Sequence, residues 1–272
     1  MADRAGRVSG EILTMARRPH LAIAVLVLAS GPSAGCGQAD APPSNQGAPP
    51  GQEKKIDTKI LEKGAEALQD LSPVRAIDHY LDGFHVMKED PDHHMEAHHY
   101  CKGINEEFTQ CVIFDGNTKD ANIIGVEYII SEAMFEGLPE DEKQRWHPHN
   151  YEILSGQLTL PGVPSVAEKA ALKKKMNSYG KTWHIWDTGH LGHPAAHNLP
   201  VGQPLLAWSY NRDGEMPAAL VEARDKRAGI DTAEKRKERA DLAAIANPQR
   251  GVDDLKSRFP NATGAPEGVR AK

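Results

Sequence analysis

Glu96-Ala-His-His-Tyr-Cys101, with Gln110-Cys111, Gly125-Val-Glu-Tyr-Ile-Ile-Ser131 and Trp146-His-Pro-His-Asn-Tyr-Glu152 behind it, is the stretch whose reading decides the fold. Imidazoles, thiols and carboxylates stand there among β-branched and aromatic residues that favour strands. Successive side chains of a strand point to opposite faces, so Glu96, His98 and Tyr100 share one face while Ala97, His99 and Cys101 share the other. Glu127 sits between apolar neighbours, where a carboxylate is costly to bury unless it is paired or bound to a metal. Such a sheet either builds a polar site or satisfies a polar core.

Working outward, residues 96–101 and 108–115 predict paired strands joined by the polar loop 102–107, and residues 121–131 a third, central strand. On the N-terminal side, the apolar spacing of 57–71 predicts a short helix. Ser72-Pro73 predicts a second, running to Phe84, with His79 and His85 as surface histidines beside its apolar stripe. On the C-terminal side, Pro139 opens a helix whose acidic first turn suits the helix dipole. Residues 150–160 read as a strand. Ser165 with Glu168 reads as a capping box for a helix ended by Gly180. Residues 182–188 and 204–210 read as strands. The charged stretch 219–246, with Glu222/Lys226 and Asp231/Lys235 at i,i+4, reads as a surface helix or a partner-docking element. The expected fold class is α+β: a single domain over 57–250, with a mixed or mainly antiparallel sheet flanked by helices.

The chain has 272 residues, 32 Lys and Arg against 38 Asp and Glu, and a net charge of −6. There is no basic stripe, so nucleic acid is not an expected partner. At the N-terminus Arg17-Arg18 precede the apolar run 21–30, too short for a membrane span of about 20 residues and matching a secretory signal. Residues 1–36 are therefore expected to be a signal peptide, with Met1 or Met15 as the translation start. Ser33-Ala-Gly-Cys36 resembles a lipobox with Cys36 as the lipid attachment site; ordinary cleavage near Ser30 is the alternative. The Gly/Pro/Ser-rich residues 37–56 are expected to form a disordered tether, and 251–272 a disordered tail. The expected location is the periplasmic side of a bacterial membrane, with the lipid anchor as membrane partner, or else a soluble periplasmic or secreted protein. Protein partners are unassigned.

His98, His99, Glu127, His147, His149, Glu152 and His184 are the candidate ligands of one divalent ion. Imidazole with carboxylate suits zinc, iron or manganese. The alternative is a hydrogen-bonded polar core without an ion. His93-His94 read as loop residues, and His190, His193 and His197 as members of a Gly/Pro loop. Cys101 and Cys111 flank the hairpin and are either a disulfide or two buried thiols. The nucleophile elbow, the zinc-protease helix and the CxxC pair are all missing from the sequence.

From Ala67 to Pro248 the chain also resembles the oil body-associated protein family. The resemblance is carried by Leu68-Gln-Asp, Phe84-His, the motifs quoted above, Tyr179-Gly-Lys, Trp183-His-Ile-Trp, Leu199-Pro-Val-Gly-Gln-Pro and Arg224-Asp-Lys-Arg. Pro148 departs from the family pattern, where a small polar residue is typical. The resemblance implies a lipid-surface role of unassigned biochemistry, here in an exported bacterial member. It also implies that a Cys101–Cys111 bridge is no requirement of the fold, because members without export signals carry the pair. Three functional readings follow: a non-catalytic, membrane-tethered envelope protein binding lipid or a partner; a metal-dependent enzyme built on the His/Glu cluster; and a structural domain with a polar core.

Overall fold

The computed structural model describes residues 49–190, 193–195 and 197–272. The expected signal peptide, Cys36 and most of the expected tether lie outside the described residues. Helices α1 (Ile56–Leu68) and α2 (Ser72–Arg75) lead into strands β1 (His79–Met87), β2 (His94–Asn105), β3 (Phe108–Phe114) and β4 (Ile123–Ile130). Then come α3 (Glu132–Glu136), α4 (Glu140–Lys143), β5 (His147–Pro148), α5 (Asn150–Leu154), α6 (Ser165–Lys175) and β6 (Tyr179–His184). The small ribbon β7 (Gly189–His190) and β8 (His193–Pro194) precedes β9 (Leu205–Trp208), α7 (Ala218–Ala228) and α8 (Thr232–Glu238).

The sheet closes on itself. Its order runs β4-β3-β2-β1-β9-β6, and β6 pairs back onto β4, so six antiparallel strands form a barrel, with β5 beside β9 on the other edge of β6. The fold is thus α+β with an antiparallel sheet, as expected, but a barrel rather than an open sheet. A barrel this small must fill its interior with side chains. The strand registers set Leu81 opposite His99, Cys111 opposite Glu127, and Glu127 opposite Thr182, which places these residues on one shared face. That face is the interior. Met87, Met95, Ala97, Ile113, Ile124 and Ala207 pack part of it as an apolar cluster. Cys101 and Cys111 stand opposite one another in β2 and β3 and are joined by a disulfide.

Several expectations are corrected. The second helix stops at Arg75, and 79–87 is a strand. Gly83 is a poor helix former, while Tyr80, Phe84 and Val86 suit a strand. His85 is consequently buried, not on the surface. Residues 150–154 are helix α5 rather than strand, and every one of its residues is buried. The Asn150 side chain donates to Asn177 Oδ1 and the Asn247 carbonyl, while the Asn150 backbone N–H donates to Gln249 Oε1. These long-range bonds override the local strand propensity. Glu168 closes no capping box. It accepts the Leu160 N–H at 2.7 Å and pairs with Lys235 and Arg239. Helix α6 ends at Lys175, before Gly180, and Asn177 just beyond it takes a positive φ of 67°.

The charged stretch 219–246 is not a surface helix. Gly229 in the left-handed region ends α7, and the Asp231 side chain caps α8 by accepting the Glu234 N–H. Both of its key arginines are fully buried. The Arg224 guanidinium lies over the Phe84 ring and donates to the Gln157 carbonyl at 3.0 Å. Arg239 donates to the Leu158 carbonyl at 2.7 Å and reaches Glu168 at 2.9 Å. Nor is 251–272 a free tail. Val252, Leu255 and Val269 are buried in the main core, Gln249 bridges Ala271, and Trp208 Nε1 donates to the Gly251 carbonyl at 3.2 Å. The domain therefore extends to the C-terminus, beyond the expected boundary at 250.

Removing a buried charge strands its partners. Arg239→Met is expected to lower stability by roughly 3 kcal/mol, because the Ile153 and Leu158 carbonyls lose their buried donor and Glu168 loses one of its two cationic partners. Glu222→Ala, on the exposed side of α7, is expected to change it by less than about 0.5 kcal/mol. Urea denaturation of the two variants checks this, and equal small effects would restore the surface-helix reading.

Candidate metal centre

Adjacent residues of β2 go to different places. His99 points into the barrel, whereas His98 and Glu96 point outward against α7. The sequence set therefore splits: His99, Glu127, His147, His149, Glu152 and His184 gather in the interior with His85, and His98 does not join them. His98 belongs to an outer cluster with Asp82 and Glu96. There the Tyr80 hydroxyl meets His98 Nδ1 at 2.6 Å, Arg227 pairs with Glu96, and Arg224 lies 3.4 Å from Asp82. Burial and the Asp82 carboxylate push Glu96 up to about 7 against the pull of Arg227. Two guanidiniums already offset these acids, so this cluster reads as the ionic latch between α7 and the barrel.

The interior cluster is organised around Glu127, whose side chain is 3% exposed. One carboxylate oxygen, Oε2, faces His99 Nε2 at 2.8 Å and His85 Nε2 at 3.6 Å. The other, Oε1, faces His149 Nε2 at 3.3 Å and His147 Nε2 at 3.9 Å. The two Nε2 atoms of His147 and His149 are 3.2 Å apart. They are brought together where the short strand β5, carrying His147, runs into the start of α5 at His149. Glu152, from the first turn of α5, forms a further group with His85 and His147. His184 Nε2 meets His85 Nδ1 at 3.1 Å, so His184 orients His85 from behind.

Space for these groups is made by Gly180. A Cβ there would lie 2.5 Å from Glu127 Oε1 and His149 Nε2 and 2.6 Å from His147 Nε2, so only glycine fits. The free volume beside the cluster is ≈ 10 Å³, lined by His85, His99, Glu127, His149, Glu152 and Lys175 among others. That is room for about one water molecule.

Burial disfavours the charged form of His85, His147 and His184, while the central carboxylate stays ionised. Burial pushes His147 and His184 down to about 3 and His85 well below the usual histidine range. Burial alone would raise Glu127, but the surrounding imidazoles, His99 foremost, outweigh it and hold the carboxyl well below its usual range. Burial and the Glu127 charge push Glu152 far up. One tautomer is fixed by hydrogen bonding. The Ser178 hydroxyl donates to the Lys175 carbonyl at 2.6 Å, so its oxygen accepts from His149 Nδ1–H at 2.8 Å. His149 Nε2 then presents a lone pair to the cluster, the form that ligates metal.

His85 is the residue that sequence reasoning missed. The alternation Leu81, Gly83, His85, Met87 carries a period-two signal, with Gly83 arguing against a helix, and it was masked by the Ser72-Pro73 helix start.

Residues 71–243 match the family described as "Protein of unknown function (DUF1264)". Among curated relatives, Oil body-associated protein 1B of Arabidopsis thaliana is 37% identical over 206 residues, covering 76% of this chain and 82% of the relative. Oil body-associated protein 1A of Zea mays is 36% identical over 223 residues, covering 82% and 88%, and 2A of Zea mays is 39% identical over 212 residues, covering 76% and 81%. No solved structure matches the chain. The matched segment contains β1, β2, β4, β5 and β6, and so every residue of the interior cluster. The chain belongs to the oil body-associated protein family.

Proposed function

We propose that this barrel binds a divalent transition-metal ion in its interior. The observation that carries the reading is the triangle of His147 Nε2, His149 Nε2 and Glu127 Oε1, with sides of 3.2, 3.3 and 3.9 Å. Donors held about 2.1 Å from one ion stand roughly 3.0 Å apart at a right angle and roughly 3.4 Å apart at the tetrahedral angle, which the two shorter sides match and the His147–Glu127 side exceeds. A polar core kept for hydrogen bonding would satisfy its members. Here His99 Nε2 and Glu152 Oε1, both facing the cluster, are buried without a hydrogen-bond partner among the described residues. His99 Nε2 has the distance to Glu127 of a hydrogen bond but not its alignment. Neutral imidazole with carboxylate and no thiolate suits zinc, iron or manganese. The free volume beside these groups admits a water-sized ligand.

A second reading concerns location, and α1 favours it. Ile56, Ile60, Leu61 and Leu68 lie on one side of this helix and are 78%, 65%, 73% and 88% exposed, while Lys59, Glu62, Lys63 and Glu66 line the other. An amphipathic helix with an uncovered apolar side suits a lipid surface. Curated relatives are named for oil bodies. In this reading the chain is exported, Cys36 carries the lipid anchor, and α1 lies on the same membrane.

Three outcomes are expected. Elemental analysis of the purified protein, stripped with chelator and reloaded with Zn(II), shows at least one ion per chain, and His149→Ala lowers it; a metal-free wild type contradicts the reading. Gly180→Ala, whose Cβ intrudes on three ligand atoms, loses Zn(II) at least tenfold in affinity by competition titration; unchanged affinity contradicts the assigned cluster. The intact mass of the membrane-fraction protein shows an acylated Cys36 N-terminus, and the protein floats with phosphatidylcholine vesicles less well when Leu61 and Leu68 are changed to Glu. A cytosolic product retaining residues 1–35 contradicts the second reading.

A further inference from the structure

The ligand atoms of the interior fall into two sets, not one. Oε1 of Glu127 serves the triangle with His147 and His149, on β5 and the start of α5. Oε2 of the same carboxylate faces the opposite way, toward His85 of β1 and His99 of β2, at 3.6 and 2.8 Å. These three residues form a compact donor group of their own. A carboxylate whose two oxygens each face a separate pair of imidazoles has the arrangement of a bridge. A second carboxylate spans the same gap. Glu152 groups with His85, from one set, and with His147, from the other. Its Oε1 is buried without a hydrogen-bond partner among the described residues.

Resting on the metal-binding reading above, we propose that the barrel holds two divalent ions, bridged by Glu127 and Glu152. One ion is held by His85 and His99, the other by His147 and His149. The donor count supports the assignment. Four imidazoles and two carboxylates exceed the three protein ligands plus one open position usual for a single catalytic ion. Shared between two ions, they give each one two imidazoles and an oxygen from each bridge, which leaves room for a water at the small cavity. Two ions held by bridging carboxylates stand about 3.5–4 Å apart, close enough to act together on one bound oxygen. The outer supports differ: His184 meets Nδ1 of His85, and Ser178 accepts from Nδ1 of His149. Each set thus has its own second contact fixing an imidazole, as paired but independent ligand sets require.

The full chain, stripped with chelator, is titrated with Co(II), desalted, and analysed for cobalt content and by electron paramagnetic resonance. The expected result is two Co(II) per chain, with a signal per cobalt that falls at least twofold between one and two equivalents as the bridge couples the spins. His99→Ala, judged folded by its unchanged circular dichroism, is expected to keep one Co(II) and lose the coupling. Saturation of the wild type at one Co(II), or two ions with additive and uncoupled signals, overturns the bridged pair and leaves the single-ion reading standing. No bound Co(II) together with no bound Zn(II) overturns both.

Discussion

A carboxylate shut inside a barrel is the constraint on which the rest of this structure depends. Glu127 is buried, and among the described residues its ion-pair-distance partners are imidazole nitrogens from β1, β2, β5 and the start of α5, with Lys175 lining the same small cavity. Closure of the sheet through the β4–β6 pairing is what brings these distant segments around one side chain. A flat sheet would spread them over a surface. Gly180 follows from the same constraint, since any larger residue at that point of β6 would displace ligand atoms.

The barrel is polar on both faces, and the two faces solve the burial problem differently. Outside, Asp82 and Glu96 meet Arg224 and Arg227 from α7, and the charges cancel between protein groups. Inside, the groups around Glu127 are mostly imidazoles, with Lys175 at the cavity edge, and among the described residues no guanidinium lines that cavity. Such an excess of donors around one ionised carboxylate is the chemistry of a cation site. The same contrast appears around α5, whose neighbours Arg239 and Glu168 form a closed ion pair while its own Glu152 points inward. The proposed ion site therefore sits on the interior face.

Much of this was legible in the sequence, and the gaps have physical causes. The motifs around His99 and Glu127 announced strands carrying polar groups, and the alternation of β2 predicted that His98 and His99 would part company. It could not say which of the two faces inward, because the direction of the interior is set by strand pairing and not by the strand itself. His85 was hidden by a strong local helix start at Ser72-Pro73. Helix α5 was hidden because its stability comes from Asn150 and Gln249 bonds to residues far along the chain. The buried arginines of α7 and the segment that follows it looked like solvent-facing charge, since burial of a guanidinium is decided by its partners.

The most direct test of the central claim is an anomalous difference map from a crystal of the metal-loaded protein, collected at the absorption edge of the added ion. The account predicts the strongest peaks inside the barrel, within ligand distance of Glu127, His147 and His149. Peaks confined to the His190–His197 loop or to the outer Asp82/Glu96/His98 cluster, with none inside, would contradict it.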